Sequence, residues 1–216
     1  MNTNPNAKTV LCFGDSNTWG QKPDKSNRYP AGIRWTGQLQ NMLGDHFYVI
    51  EEGLGGRVTN FDPDDRNDRN GYTYLLQAAP SHNPIDYFVI MLGTNDMKYR
   101  FNRSALDITD AIKELVDFVA QGAKSSSGGK TQIIVVSPAY IDHTAAWFTD
   151  MYANDFDETS TQKSIELYEK LVAVAKEHNW LCINGADYAE VGDDGLHLNE
   201  KSNKTLASAI FEAIDV

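Results

Sequence analysis

The 216-residue chain has only two cysteines, too few for a disulfide framework. Cys12 lies in Val10-Leu11-Cys12-Phe13 and Cys182 in Trp180-Leu181-Cys182-Ile183, apolar settings that suit reduced, buried thiols. No window approaches the roughly 18 apolar residues of a membrane span. The opening Met1-Asn2-Thr3-Asn4-Pro5-Asn6-Ala7-Lys8 is polar, without the apolar stretch of a signal peptide, so a cytoplasmic protein is expected. Basic residues are scarce as well: 19 Lys and Arg face 30 Asp and Glu, a formal net charge of -11. That balance argues against nucleic acid and anionic membrane as partners, because both are gripped by clustered Lys and Arg. Small-molecule substrates remain open. At a prior of about 150 residues per domain, one domain over 1–216 is expected, large enough to fold without disulfides or metals.

Five short apolar runs rich in Val, Ile, Phe and Tyr recur at 8–13, 47–52, 86–92, 131–137 and 180–184. The intervening stretches carry helical spacing. Leu106, Ile112, Leu115, Val116 and Val119 form one stripe, preceded by the capping-box pair Ser104 and Asp107. Ile165, Tyr168, Leu171, Val172 and Ala175 form a second stripe, ending near His178-Asn179. Leu206, Ala209, Ile210, Ala213 and Ile214 form a third, and weaker helical patterns cover 33–43 and 70–79. Repeated strand-helix alternation implies an α/β fold, a parallel sheet with helices on both faces. Sites in such sheets lie beyond the carboxyl ends of the strands, where strand order reverses. Lys124–Lys130, rich in Ser and Gly, reads as a mobile loop, and 138–160 as a long aromatic loop suited to function or to an interface.

Gly14-Asp15-Ser16 follows the first strand, where a Ser is either a helix N-cap or a nucleophile. A nucleophile needs a base, and the base an orienting group. His46, His82 and His178 read as surface or capping positions, and His143 lies in the aromatic loop, an exposed position from which it could touch a substrate. His197 follows the fifth strand in Asp193-Asp194-Gly195-Leu196-His197, and Asp194 is the only Asp with a His three residues on. Asp193 competes for the orienting role, and spacing favours Asp194. Acyl transfer also needs donors for the developing oxyanion. Glu51-Glu52-Gly53-Leu54-Gly55-Gly56-Arg57 can bring a backbone N–H close to a ligand, and Asn95 in Gly93-Thr94-Asn95-Asp96 can supply an amide. All of these fall just beyond predicted strand ends. The acidic run 62–71 fails as an EF-hand, since Arg66 would occupy the first liganding position, and reads as a polar loop. Gly53-Leu54-Gly55-Gly56 has no nucleotide-binding spacing. Neither metal nor cofactor is expected.

The order Gly14-Asp15-Ser16, Gly56, Gly93-x-Asn95-Asp96 and Asp194-x-x-His197 resembles the four blocks of the SGNH, or GDSL-type, hydrolase family. Within it, Cys12–Ser16, Thr18-Trp19-Gly20, Arg34-Trp35-Thr36-Gly37, Glu51–Leu54, Met91–Asp96 and Val135–Pro138 look like the bacterial arylesterase/acyltransferase branch. The resemblance implies a three-layer α/β/α, flavodoxin-like fold with a five-stranded parallel sheet. It implies Ser16 as nucleophile, His197 as base and Asp194 as orienter, with Ser16 N–H, Gly56 N–H and Asn95 as oxyanion hole. It implies a serine esterase acting on short-chain, acetyl-type esters, with acyl transfer to alcohols or peroxide as further activities. Many members have Leu after the nucleophile; this chain has Asn17, expected at the pocket wall. Trp19, Trp35, Trp147 and Phe148 are candidate apolar walls of a substrate pocket, against the alternative of core or interface. The 138–160 segment is expected to make a subunit contact in a homo-oligomer. The rivals are a carbohydrate O-deacetylase of the same superfamily and a non-catalytic, flavodoxin-like binding module.

Overall fold

A computed structural model describes residues 2–214. Five strands, β1 (Lys8–Gly14), β2 (Phe47–Gly53), β3 (Tyr87–Met91), β4 (Gln132–Ser137) and β5 (Leu181–Asn184), form one parallel sheet in the order β2-β1-β3-β4-β5. These are the five apolar runs, displaced by a residue at most. Alternate side chains of each strand enter opposite layers. Leu11, Phe13, Phe88, Ile90, Ile133 and Val135 face one core, while Val10, Cys12, Val89, Ile134 and Val136 face the other. Central strands buried on both faces must be apolar at nearly every position, which is why they stand out as continuous runs.

Helices α3 (Gly71–Ser81), α4 (Ala105–Gly122) and α6 (Glu158–His178) cover the first face. Helices α2 (Trp35–Leu43) and α7 (Glu200–Glu212) pack together on the second, completing three α/β/α layers. The expected capping box of α4 is present: Ser104 Oγ accepts from Asp107 N–H, and the Asp107 carboxylate from Ser104 N–H. Two stripe positions are corrected. Leu106 and Ile165 are exposed, and Ile108 and Leu167 point inward in their place. The 138–160 segment is only partly loop, since it carries α5 (Phe148–Tyr152) and the start of α6. The Lys124–Lys130 turn is tethered, with Asp86 accepting from the N–H and Oγ of Ser126.

Strand β1 feeds α1 (Ser16–Trp19), then α2 and β2 on one side of the sheet, while the later strands build outward from its other side. Strand order therefore reverses between β1 and β3, whose ends are in register at Gly14 and Met91. A crevice opens at their carboxyl ends, as topology requires.

Candidate active site

Ser16 lies at the reversal point. The cap of the one-turn helix α1 is Asp15, whose carboxylate accepts from Asn17 N–H at 2.9 Å, so the Ser16 hydroxyl is not consumed in capping. It meets His197 Nε2 at 2.9 Å. His197 Nδ1 is 2.6 Å from Asp194 Oδ2, and the other oxygen of Asp194 accepts from Leu196 N–H and His197 N–H. Asp194 is wholly buried, and Ser16 and His197 nearly so. One carboxylate thus fixes the imidazole through its ring and its own backbone. The ring proton is held on Nδ1, leaving the Nε2 lone pair facing the hydroxyl. Asp193 is not part of this chain of contacts; its carbonyl accepts from Trp147 N–H in a separate cleft.

Gly195 makes the turn possible. Its φ of +74° is left-handed, and a Cβ there would stand 2.2 Å from the Asp142 carbonyl oxygen and 2.8 Å from Phe148 Cδ2. Asn17 secures the same turn from the nucleophile side, donating to the Leu196 carbonyl at 3.1 Å and accepting from Leu198 N–H at 3.0 Å. Tyr152 adds a further contact, its hydroxyl 3.4 Å from His197 Nδ1. Burial and the neighbouring Asp194 carboxylate push the Tyr152 phenol well above its ordinary range, so it stays protonated.

Ser16, Gly56 and Asn95, the three candidate oxyanion donors, line one cleft. Among the described residues, neither Ser16 N–H nor Gly56 N–H is engaged in a hydrogen bond. Gly56 adopts a φ of +79°. Asn95 donates one amide hydrogen to the Arg57 carbonyl at 3.1 Å, leaving the other available to the cleft it lines. Arg57 lies beneath, 4.2 Å from the Phe13 ring and 4.9 Å from the Tyr74 ring, donating to the Gly14 and Glu52 carbonyls. Burial pulls its guanidinium pKa down to about 10. Glu51 binds Arg34 through two bonds, with Arg28 and Thr36 as further donors, which ties the Arg34–Gly37 and Glu51–Leu54 motifs together.

The cleft, about 460 Å³, is walled by Trp19, Leu54, Tyr152, Phe156 and Leu196 around Ser16. Of the pocket candidates read from the sequence, Trp19 lines this cleft; the other four lie elsewhere and are corrected. Trp35 is fully buried against α7 in the core, because its strand-facing position leaves it no route to the cleft. Phe148 is buried beneath the Gly195 turn and supports the loop. Trp147 is exposed on the separate cleft beside Asp193. Asn17 is a latch on the His197 loop, since both ends of its amide are committed there. His143 likewise points elsewhere, its Nδ1 2.9 Å from Thr161 Oγ1.

Sequence reasoning missed the cations of this cleft, Lys25, Arg66, Arg69 and Lys98, and the role of Tyr152. The polar 62–71 loop supplies two of them; the available signal was Arg66 and Arg69 recurring at a three-residue interval within an acidic run. Among the described residues, no group of three or more His, Cys, Asp or Glu side chains is arranged to hold a metal ion. No helix among them is long and apolar enough to cross a membrane.

The chain is similar over most of its length to several known proteins. It is 36% identical to the M. smegmatis aryl esterase, with a TM-score of 0.85 over 96% of this chain and 98% of that one. Est24, a carbohydrate acetylesterase from Sinorhizobium meliloti, is also 36% identical, with a TM-score of 0.82 over 95% and 97% of the two chains. An acetylxylan esterase of Xylanibacter ruminicola is 30% identical over 230 residues, 95% of this chain and 42% of that protein. The chain therefore spans about two fifths of the length of that curated relative. The model of the GDSL-like lipase/acylhydrolase family matches residues 12–204, so with the SGNH fold and the Ser16, Gly56, Asn95 and His197 blocks assembled at one crevice, the chain belongs to that family.

Proposed function

We propose that this chain, acting as one domain over 1–216, is a serine esterase that cleaves short-chain acyl esters through an acyl-enzyme. The observation that carries the reading is His197 bridging Ser16 Oγ and buried Asp194 beside unengaged N–H donors. His197 Nε2 removes the hydroxyl proton as Ser16 Oγ attacks the ester carbonyl. The oxyanion is met by Ser16 N–H, Gly56 N–H and the Asn95 amide. As the tetrahedral species collapses, the ester C–O bond breaks and His197 returns the proton to the departing alcohol. Water, activated by the same imidazole, then releases the acid. An alcohol or hydrogen peroxide in place of water yields a new ester or a peracid, which makes acyl transfer the accompanying proposal. No step needs a metal or an organic cofactor.

The test is the rate of p-nitrophenol release from acetyl, butyryl and octanoyl esters, measured beside Ser16→Ala. Acetyl is expected to be fastest, and Ser16→Ala to fall by at least ~10³-fold. Octanoyl as the fastest ester contradicts the short-acyl reading. The similarity to an acetylxylan esterase and a carbohydrate acetylesterase favours carbohydrate O-deacetylation as the second reading. A higher kcat/KM on acetylated xylo-oligosaccharides than on aryl acetates would establish it.

For assembly, the proposal is a homo-oligomer with a subunit contact on 138–160, supported by Tyr140 and Trp147 standing exposed there. Light scattering of a monomer at micromolar concentration contradicts it. The unpaired thiols Cys12 and Cys182 support a reducing, cytoplasmic compartment.

A further inference from the structure

A protein of net charge -11 would be expected to line its clefts with carboxylates. The cleft around Ser16 does the reverse, presenting Lys25, Arg66, Arg69 and Lys98 against the single carboxylate of Asp155. Two of these cations are occupied. Lys98 pairs with Asp155 at 3.1 Å, and Arg69 pairs with Asp68 while donating Nε–H to the Gly55 carbonyl at 2.7 Å. The other two, Lys25 and Arg66, form no ion pair among the described residues, although the Arg66 charge helps hold the nearby Asp68 carboxyl below its ordinary range. Arg66 Nη1 lies 3.0 Å from where a Cβ on Gly56 would stand, directly over the oxyanion-hole glycine. Lys25 Nζ stands 3.9 Å from the centre of the Tyr152 ring, on the side of the cleft that holds His197.

Two cations free of ion pairs thus flank the reacting centre, and both are exposed at its mouth. A concave site focuses such a field, and a guanidinium matches the paired oxygens of carboxylate or phosphate. A neutral acetyl ester offers them nothing. Resting on the esterase reading, we propose that the substrate is an ester whose alcohol portion carries a carboxylate or phosphate, and that Arg66 and Lys25 are the residues that select it. The charge belongs on the alcohol side because that portion extends toward the solvent-facing mouth, while the small acyl group sits inside.

The test compares two matched pairs of acetates: 4-acetoxybenzoate with its neutral methyl ester, and 4-acetoxyphenyl phosphate with 4-acetoxyphenol. The values of kcat/KM are taken for the unaltered protein, Arg66→Gln and Lys25→Gln, at low salt and at high salt. Comparing the anionic-to-neutral ratio between proteins cancels the intrinsic reactivity of each leaving group. The ratio is expected to fall about fivefold in each variant at low salt, the effect of losing one exposed charge pair. In the unaltered protein it should shrink at high salt, because screening shortens the reach of exposed charges. The pair with the larger fall identifies carboxylate or phosphate as the ligand chemistry. An unchanged ratio overturns the proposal, and so does an equal loss on both members of a pair, which would mean that Arg66 acts on the oxyanion. If the unaltered protein cleaves none of the four, the esterase reading fails and this selectivity falls with it.

Discussion

His197 is held from four directions: Ser16 ahead, Asp194 behind, Tyr152 beside it, and Asn17 on the backbone at either side. Asp194→Asn leaves room for the same shape but reverses a hydrogen bond, stabilising the wrong imidazole tautomer. The fall in kcat should approach the ~10⁴-fold seen for that change in the serine-protease triad, with KM little altered. Asn17→Ala instead strands the buried Leu196 carbonyl and Leu198 N–H, each costing about 1–3 kcal/mol. A lower melting temperature and a reduced kcat are expected together, read by calorimetry and steady-state kinetics. Gly56→Ala forces a side chain into a left-handed backbone and against Arg66, so kcat should drop about 10²-fold or more through the displaced donor. The contact chain Ser16–His197–Asp194, the proposed triad, was legible in the sequence because Asp194 and His197 lie three residues apart and Ser16 follows a strand. Arg66, Lys25 and Tyr152 were not, since the first two reach the cleft from separate loops and Tyr152 from the end of α5, segments brought together only by the fold.

At the scale of elements, the strands announced themselves because both faces of the sheet are covered. The stripes of α4 and α6 were legible in period and mostly in phase: Ile112, Leu115, Val116, Val119, Leu171 and Ala175 are buried as read, and Leu106 and Ile165 are the exceptions that face solvent. The aromatic content of 138–160 marked the segment as unusual, yet gave no sign that Phe148 would be a prop and Trp147 a rim residue. Asp96 links the two loops that carry the proposed oxyanion donors: it sits one residue past Asn95 and accepts from Thr59 N–H, beyond Gly56. It is fully buried, with Arg103 at 3.6 Å, and burial raises its pKa to about 6. An unfolded Asp titrates near 3.9, so the folded chain binds the extra proton between these values. The resulting stability is complete below about pH 4 and is lost as pH rises through about 6. Urea unfolding should show the stability of the unaltered protein falling relative to Asp96→Asn by about 2 kcal/mol between those limits. A difference that is flat with pH contradicts this assignment.

At the scale of the molecule, a strongly acidic surface surrounds a cleft rich in cations, and composition alone pointed away from any basic site. An average charge hides local sign, which is why this feature needed the fold. The central claim is that Ser16 carries the acyl group. Its most direct test is intact-mass and peptide analysis after reaction with a fluorophosphonate, in parallel with Ser16→Ala. One label per chain, mapped to the peptide containing Ser16, rising with loss of esterase activity and absent from the variant, is the predicted result. A protein that hydrolyses acetyl esters yet labels elsewhere, or is inactivated equally in the variant, would contradict the account.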